Sequence, residues 1–297
     1  MPPPPVFNYT KHMTFDLNAY LERRKRLVEE HLFACLPAAG TRPTPLTEAL
    51  RHAVLSGGKR LRPILCLAAA EAVGGHAGDV MLPACAVELL HTYTLVHDDL
   101  PCMDNDLLRR GQPTVHAKYG EAVGVLAGDA LQTLAFETLA RTPEKTPGTV
   151  ARLVCELAAA AGAAGVIGGQ VEDIRFAAAP TRETIDYVFQ HKTADLFRAA
   201  ARLGAIAAGA DGDALAQLSS FADRLGFAFQ ITDDLLDARE AQSNPKPELS
   251  CLNVMTEAEA RDWAGQHTQQ AIDALAGLPG NTAALAALAR GLLRRIV

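Results

Sequence analysis

The sequence predicts an all-α protein, and three observations support this fold class. Hydrophobic residues make up 49% of the 297 residues, whereas aromatic residues make up only 5%. Alanine is frequent, and runs such as 158–161 favour helices that pack closely together. Clusters of β-branched residues, which strands prefer, are sparse. Because neither a fixed-period repeat nor an interdomain linker is visible, the simplest prediction is one large helical bundle.

The predicted elements follow in order from the helix breakers. Residues 1–13 are rich in proline and then polar, so we expect a disordered tail, followed by a single helical domain over 14–297. A charged amphipathic helix begins at Asp16 and runs to about residue 36, and a linker covers 37–45. Glycine and proline clusters, Gly168-Gly169 among them, are predicted to break the chain between the remaining helices. These helices cover 46–57, 61–74, 80–100, 118–141, 148–166, 182–191, 194–209, 213–238, 257–276 and 282–295.

Composition argues against several functional classes. The net charge of −6 offers no general basic field for nucleic acid. The six cysteines form no C-x-x-C pair, which is typical of reduced thiols in a cytoplasmic protein. The N-terminus lacks the pattern of a signal peptide. The longest uncharged run, 157–171, is shorter than the about 20 apolar residues that a membrane span needs, so we expect none.

The first of two acidic clusters ends the helix predicted over 80–100. His91, Thr94 and Asp98 share one helix face, and Asp99 widens this polar strip. Pro101 cannot continue a regular helix, so the chain should loosen before Asp104. Acidic side chains are disfavoured at the negative end of a helix dipole. A bound cation is therefore a better explanation of this cluster than a solvated helix end.

The second cluster lies within a buried, Leu-rich helix. Asp233 and Asp237 are four residues apart and share a face, and Asp234 lies beside them. Clustered carboxylates resist burial unless a cation separates them. Oxygen ligands suit Mg²⁺, which commonly carries a substrate's phosphates. Two such clusters therefore predict a site for a diphosphate with several Mg²⁺ ions.

Basic residues complete the candidate site. Gly57 and Gly58 precede Lys59 and Arg62, which are close enough in sequence to bind one anion. Arg109 and Arg110 follow the first acidic cluster and are expected to reach metal-bound phosphates. The P-loop pattern G-x-x-x-x-G-K-[ST] does not occur in the sequence, so nucleotide hydrolysis is not supported. Three weaker features each suit a structural role when taken alone: Gly168-Gly169-Gln170-x-x-Asp173, His191-Lys192-Thr193 and Gln230.

Taken together, these segments resemble the short-chain trans-prenyl diphosphate synthases, closest to the bacterial farnesyl diphosphate synthases. The similarity covers about residues 46 to 237. The matching segments occur in the family's order and spacing: G-G-K-R-L-R-P (57–63), H-T-Y-T-L-V-H-D-D-L-P-C-M-D (91–104), L-R-R-G-Q-P-T (108–114), A-G-D-A-L (127–131), G-G-Q-x-x-D (168–173), H-K-T (191–193) and F-Q-I-T-D-D-L-L-D (229–237).

The resemblance implies an all-α bundle around a deep central cavity, and condensation of isopentenyl diphosphate onto an allylic diphosphate. It implies a homodimer and Mg²⁺, three ions per active site, with Mn²⁺ able to substitute. The implied roles can be listed by group. Metal ligands would be Asp98, Asp99, Asp104, Asp233 and Asp237; allylic diphosphate contacts, Arg109 and Lys192; isopentenyl diphosphate contacts, Gly58, Lys59, Arg62, His91 and Arg110; residues flanking the reacting carbons, Thr193 and Gln230.

The resemblance also bears on product length. Residues just before the first cluster line the end of the cavity in this family, and here they are Tyr93 and Thr94. An aromatic ring at Tyr93 predicts that elongation stops at farnesyl diphosphate, with geranylgeranyl diphosphate as the alternative product.

The segment after Asp237 departs from the family pattern. Relatives usually have a Gly/Lys-rich loop there, whereas residues 238–248 contain Lys246 as their only lysine. Leu107 also stands where an acid is common. Arg239 or Lys246 is expected to compensate. The alternative to an active synthase is a degenerate homologue that acts as a binding or regulatory subunit. A terpene cyclase and a di-iron protein fit less well, because the second metal motif of each is missing from the sequence.

Overall fold

The computed structural model describes residues 15–175, 180–240 and 249–296. The predicted disordered tail at 1–13, and Lys246 with most of the atypical segment, lie outside the described residues. Within them the all-α prediction is confirmed. The helices are α1 Leu17–Cys35, α2 Thr44–Leu55, α3 Leu61–Ala72, α4 Met81–Asp98, α5 Val115–Tyr119, α6 Glu121–Ala140, α7 Thr149–Ala161, α8 Val166–Ile174, α9 Arg182–Val188, α10 Asp195–Ala208, α11 Gly212–Glu240, α12 Glu257–Asp273 and α13 Ala283–Leu293.

Short elements complete the described part of the chain. Two 3₁₀ turns cover 77–80 and 251–253. Strands β1 Leu108–Arg109 and β2 Gln112–Pro113 form an antiparallel hairpin. Its two-residue loop, Arg110-Gly111, has positive φ at both positions, which is the geometry that matches the natural twist of a tight hairpin. No sequence motif predicted this hairpin, which fixes the backbone of Arg109 and Arg110.

Two hydrophobic clusters hold the helices together. The main core draws side chains from every numbered helix except α9, and α3 and α4 are buried over most of their length. Helix α4 packs along α6, and α10 packs against α3 and α11. A smaller cluster, which includes Phe189, Ile231 and Leu235, fixes α12 against α11, with Trp263 packed on it. Both acidic clusters therefore lie on helices that are held firmly by their neighbours.

Three predictions about helix boundaries were wrong. The helix predicted at 118–141 divides at Gly120, which has φ +89° and separates α5 from α6. Gly168 and Gly169 were expected to break a helix, but they lie inside α8. A Cβ at Gly169 would lie 2.3 Å from the backbone nitrogen of Lys192, so glycine is needed there for close packing.

The third correction concerns the expected junction between the helices at 182–191 and 194–209. Residues 189–194 form a π-helical turn that joins α9 to α10 without a break. A π turn contains an extra residue and occurs often at functional sites. Here it carries Lys192 and Thr193 out of the register of the flanking helices.

Two helical stretches, Ala77–Asp98 and Thr149–Ile174, are long and apolar enough to cross a membrane by length and composition alone. The first is 72% buried inside the protein, as expected for a core helix. The second is interrupted between the end of α7 at Ala161 and the start of α8 at Val166. That the chain has no membrane span stays a prediction.

Candidate functional site

A cavity of about 580 Å³ lies between α4, α6, α8, the π turn and α11. Its polar lining includes Arg62, His91, Asp98, Lys192, Thr193 and Gln230. Most of the remaining lining is apolar, from Leu95, Leu100, Met103, Val125, Val166, Ile167, Val171, Ile174, Leu196 and Phe229. A cavity that combines charged groups with a long apolar wall suits a ligand with a charged head and a hydrocarbon tail.

Asp98 is the member of the first acidic cluster that lines this cavity. The pKa of Asp98 is raised to about 6, mainly by burial. The Lys192 ammonium opposes this shift, and the carboxylate of Asp104 adds to it. The amide of Asp104 donates a 2.9 Å hydrogen bond to the Asp98 carbonyl, so the chain folds back after α4 as Pro101 predicted. Burial also raises the pKa of Asp104. Both carboxyl groups would be stabilised in their charged form by a bound cation.

Asp99 has a different environment from Asp98. Its Oδ1 accepts a hydrogen bond from Arg109 Nε at 2.7 Å, and Arg109 Nη2 lies 2.6 Å from the same oxygen. Asp99 is buried and lies with Arg109 on a small pocket beside the main cavity. The structure therefore brings Asp99 and Arg109 together as an ion pair. The sequence assigned them separately, to the metal and to the allylic diphosphate.

The basic turn before α3 is built on Arg60. This residue adopts a left-handed conformation with φ +52°, and its buried guanidinium binds the buried Glu88 carboxylate at 2.8 Å. Its Nη2 also donates to the Val54 carbonyl at 2.5 Å. No sequence motif predicted a role for Arg60. It fixes the backbone between Lys59 and the first turn of α3, which carries Arg62, and these are two of the predicted diphosphate ligands.

Arg62 and His91 meet at the cavity wall. Arg62 Nη1 lies 3.2 Å from His91 Nε2, and its guanidinium stacks over the Phe197 ring at 4.9 Å. Burial and the neighbouring Arg62 and Arg110 hold the pKa of His91 well below its usual value. His91 is therefore neutral at pH 7, and its Nε2 lone pair accepts a hydrogen bond from Arg62.

Gly58 and Arg110 are interlocked. Arg110 Nη1 donates a hydrogen bond to the Gly57 carbonyl, and a Cβ at Gly58 would lie 2.5 Å from the same nitrogen. Gly58 also has φ +135°, which side-chain-bearing residues rarely adopt. Glycine at this position thus lets Arg110 join the basic turn that carries Lys59, which is exposed.

The π turn positions two predicted site residues. Lys192 Nζ binds Asp173 Oδ2 at 2.5 Å. Burial alone would lower the pKa of Lys192, but the carboxylates of Asp173 and Asp98 raise it overall. Thr193 donates to Gln230 Oε1 at 2.9 Å, and Gln230 Nε2 donates to Asp234 Oδ1 at 3.0 Å. These hydrogen bonds fix the orientation of the Thr193 hydroxyl and the Gln230 amide at the cavity wall.

Asp234 connects these hydrogen bonds to the described segment that begins at residue 249, after α11. Its Oδ2 accepts hydrogen bonds from the Ser250 hydroxyl at 3.0 Å and from the Cys251 amide at 2.7 Å. With both oxygens engaged inside the protein, Asp234 serves a structural purpose. Asp233 and Asp237 are one turn apart on α11 and share a face that Asp234 does not.

Asp233 has a cationic neighbour that the sequence did not indicate. Arg295 Nη1 lies 2.9 Å from Asp233 Oδ1. Burial raises the pKa of Asp233, while Arg295, Lys59 and Arg62 lower it. Asp237 lies one turn further along α11 and is exposed. Arg295 follows α13 and belongs to no recognisable motif, so only the tertiary structure could place it here. Arg239, expected to compensate for the missing lysines, instead donates to the Ile296 carbonyl at 3.1 Å.

The acidic groups fit a hard divalent ion such as Mg²⁺ by their chemistry. They offer oxygen donors, and burial makes their charged forms costly until a cation arrives. Among residues 15–175, 180–240 and 249–296, no three Asp, Glu, His or Cys side chains converge closely enough to hold an ion by themselves. A diphosphate can supply further oxygen ligands.

Tyr93 and Thr94 lie on the cavity wall one turn before Asp98. Tyr93 is buried, and its ring meets the His97 ring edge-on at 5.8 Å. The Thr94 hydroxyl donates to the His91 carbonyl of its own helix at 2.8 Å, so the Thr94 side chain is held against α4. The structure thus puts an aromatic ring at the position from which the sequence predicted product length.

Known proteins share this sequence pattern and fold. The family described as polyprenyl synthetase matches residues 43–248, which extends past Asp237 into the atypical segment. The heterodimeric geranylgeranyl pyrophosphate synthase large subunit 1 of Arabidopsis thaliana is 40% identical, over 91% of this chain and 77% of its own length.

Solved structures give the same result at the level of fold. An FPP/GFPP synthase from Zymomonas mobilis superimposes with a TM-score of 0.86 and 35% identity, over 93% of this chain and 98% of the other. A geranyltransferase from Helicobacter pylori superimposes with a TM-score of 0.82 and 32% identity, over 95% of this chain and 99% of the other.

Proposed function

Because this chain belongs to the polyprenyl synthetase family, we propose that it condenses isopentenyl diphosphate head-to-tail with dimethylallyl or geranyl diphosphate and releases farnesyl diphosphate. Trans-prenyltransferase activity follows from the family, and the C15 product is the finer part of the proposal. The observation that carries it is the cavity, whose lining combines acidic and basic groups from α3, α4 and the π turn with a largely apolar wall on which Tyr93 lies.

The isopentenyl diphosphate site is the basic turn and its neighbours. Lys59 comes from the turn before α3 and Arg62 from the first turn of α3. Arg110 joins them from the hairpin, where its Nη1 donates a hydrogen bond to the Gly57 carbonyl. His91 is neutral and orients the Arg62 guanidinium. A guanidinium binds phosphate oxygens as a fork and an ammonium binds as a point charge, so this set suits a diphosphate.

The allylic diphosphate site is formed by the two acidic clusters and Lys192. We propose that Asp98, Asp104, Asp233 and Asp237 hold three Mg²⁺ ions, and that Mn²⁺ can substitute. When bound, the ions neutralise charge on the departing diphosphate. Lys192 lies within electrostatic reach of Asp98 and can bind the same diphosphate once its Asp173 partner yields. Arg109, oriented by Asp99, adds a further cation beside this site.

The chemical step needs few protein groups. The allylic C–O bond breaks, the electron pair leaves with the diphosphate, and the terminal alkene carbon of isopentenyl diphosphate forms the new C–C bond. The positive charge moves to the other, tertiary alkene carbon; the CH2 group beside that carbon then loses one proton to form the new double bond, and the released diphosphate accepts the proton. The apolar cavity wall excludes water from the cation. The oriented oxygen atoms of Thr193 and Gln230 lie at the wall where they can stabilise it.

Product length rests on Tyr93. Its buried ring stands on the cavity wall, so a growing chain that reaches this point meets an aromatic side chain instead of open space. The second candidate product is geranylgeranyl diphosphate. It is favoured by the relative in Arabidopsis thaliana, which is described as a subunit of a geranylgeranyl pyrophosphate synthase. We also propose that the protein is cytoplasmic and acts as a homodimer.

The test is an elongation assay with Mg²⁺, isopentenyl diphosphate and each allylic primer from C5 to C15, followed by identification of the products. We expect C15 from the C5 and C10 primers and little extension of C15. No extension from any primer would overturn the enzyme assignment and favour the binding or regulatory alternative. A dominant C20 product would overturn the C15 assignment. Asp98→Asn and Asp233→Asn should each reduce turnover by orders of magnitude, and near-normal turnover would remove that cluster from the mechanism.

A further inference from the structure

Gly128 on α6 faces His97 on α4 at very short range. A Cβ built on Gly128 would lie 1.9 Å from His97 Nε2 and 2.2 Å from His97 Cδ2. These distances are far inside van der Waals contact, so the imidazole occupies space that any other residue type would fill with its own side chain. Gly128 lies in the A-G-D-A-L segment at 127–131, which has no role in the chemistry described above.

The His97 ring is held in this notch by α6. Its Nε2 lies 3.0 Å from the Val125 carbonyl oxygen and therefore acts as a donor to it. The Asp129 carboxylate lies 3.9 Å from the same nitrogen. Gly128, Val125 and Asp129 thus fix the imidazole by shape, by a hydrogen bond and by a nearby charge.

The same ring supports Tyr93. The two residues are four apart on α4 and share a face, and their rings meet edge-on at 5.8 Å with an interplanar angle of 81°. Both rings line the cavity, as does Val125. His97 therefore lies between the α6 notch on one side and the cavity and Tyr93 on the other.

We infer that Gly128 and His97 are specificity-determining residues that set product length by holding Tyr93 in place. The inference rests on the proposed prenyl-transfer function. In this arrangement the ring of Tyr93 stops the hydrocarbon chain because the His97 imidazole, held in the notch, prevents the Tyr93 ring from rotating out of the chain's path. The notch at Gly128 is what lets the imidazole sit.

The two residues predict opposite changes in product length. His97→Ala removes the support and opens space beside Tyr93, so the main product should lengthen by one five-carbon unit. Gly128→Ala expels the imidazole from the notch toward the cavity, so the main product should shorten. The double variant H97A/G128A has no imidazole to expel, so adding G128A to H97A should cause no shortening.

The measurement is the ratio of neighbouring chain lengths, from wild type and each variant under identical substrate concentrations, with thermal unfolding measured in parallel. A pocket discriminates one methylene by about tenfold or more, so each single variant should change the ratio by at least about tenfold. Gly265→Ala is the matched control, because it makes the same substitution on helix α12 where a new Cβ meets no atom within 4 Å. It should keep the wild-type ratio.

The outcomes separate this inference from the proposed function. If wild type does not extend any primer, the proposed function fails first. If wild type is active but H97A and G128A keep its product ratio while losing thermal stability, the pair is merely structural and the inference is wrong. The same conclusion follows if G128A shortens the product equally with and without His97. Opposite shifts, with the G128A effect lost in the H97A background, support it.

Discussion

Replacing Arg60 by methionine removes the cation from a buried ion pair that supports the basic turn. The Arg60 and Glu88 side chains are 1% and 2% exposed, and their nearest charged atoms are 2.8 Å apart. Methionine leaves the Glu88 carboxylate buried and uncompensated by this partner. Breaking one side of a buried pair typically costs about 3–5 kcal/mol. The Val54 carbonyl also loses the hydrogen bond that Arg60 donates.

This cost predicts a measurable change in melting temperature. An unfolding entropy of about 2.1 cal/mol/K per residue gives about 0.6 kcal/mol/K for 297 residues. A loss of 3–5 kcal/mol therefore lowers the melting temperature by about 5–8 °C. If the variant folds at the assay temperature, the KM for isopentenyl diphosphate should also rise, because Arg60 fixes the backbone between Lys59 and Arg62.

The double variant R60M/E88M provides the control. Replacing both partners by apolar residues removes the uncompensated charge, so much of the lost stability should return. Thermal and urea unfolding of wild type, both single variants and the double variant form a complete cycle. The reasoning is refuted if R60M costs less than about 1 kcal/mol, or if the double variant is no more stable than R60M alone.

Three further predictions concern other parts of the site and fold. Gly169→Ala should displace the π turn through the backbone nitrogen of Lys192, 2.3 Å from the new Cβ, and lower kcat by about tenfold or more; an unchanged kcat would refute this. Burial lowers the pKa of His267 to about 4, so its unfolded form gains a proton first as pH falls below 6.5. His267 by itself should therefore contribute about 2 kcal/mol less stability at pH 5 than at pH 7, measured by urea unfolding as the change between the two pH values in the difference between wild type and His267→Phe. Arg295→Gln leaves Asp233 without its 2.9 Å partner and should lower the melting temperature in metal-free buffer. Mg²⁺ with inorganic diphosphate should narrow the difference in melting temperature between wild type and variant. An unchanged difference would count against this prediction.

The sequence determined much of this protein because its signals are local. Alanine-rich helical segments separated by glycine and proline predict the bundle. Asp98 and Lys192 were recognised from motifs, and the structure brings both onto one cavity. Acidic and basic residues at set spacings on helices keep those spacings when the helices pack. That is why the fold class and most of the cavity's polar residues were predictable.

Only the tertiary structure decided which partner each charged group meets. Asp99 pairs with Arg109, and Asp233 with Arg295, across separations along the chain that no helical period encodes. Glycine was ambiguous for the same reason. Gly169 reads as a helix breaker in the sequence, yet it lies inside a helix because another backbone passes too close for a Cβ. Close approach between distant segments is a property of packing, and the sequence records it only as a missing side chain.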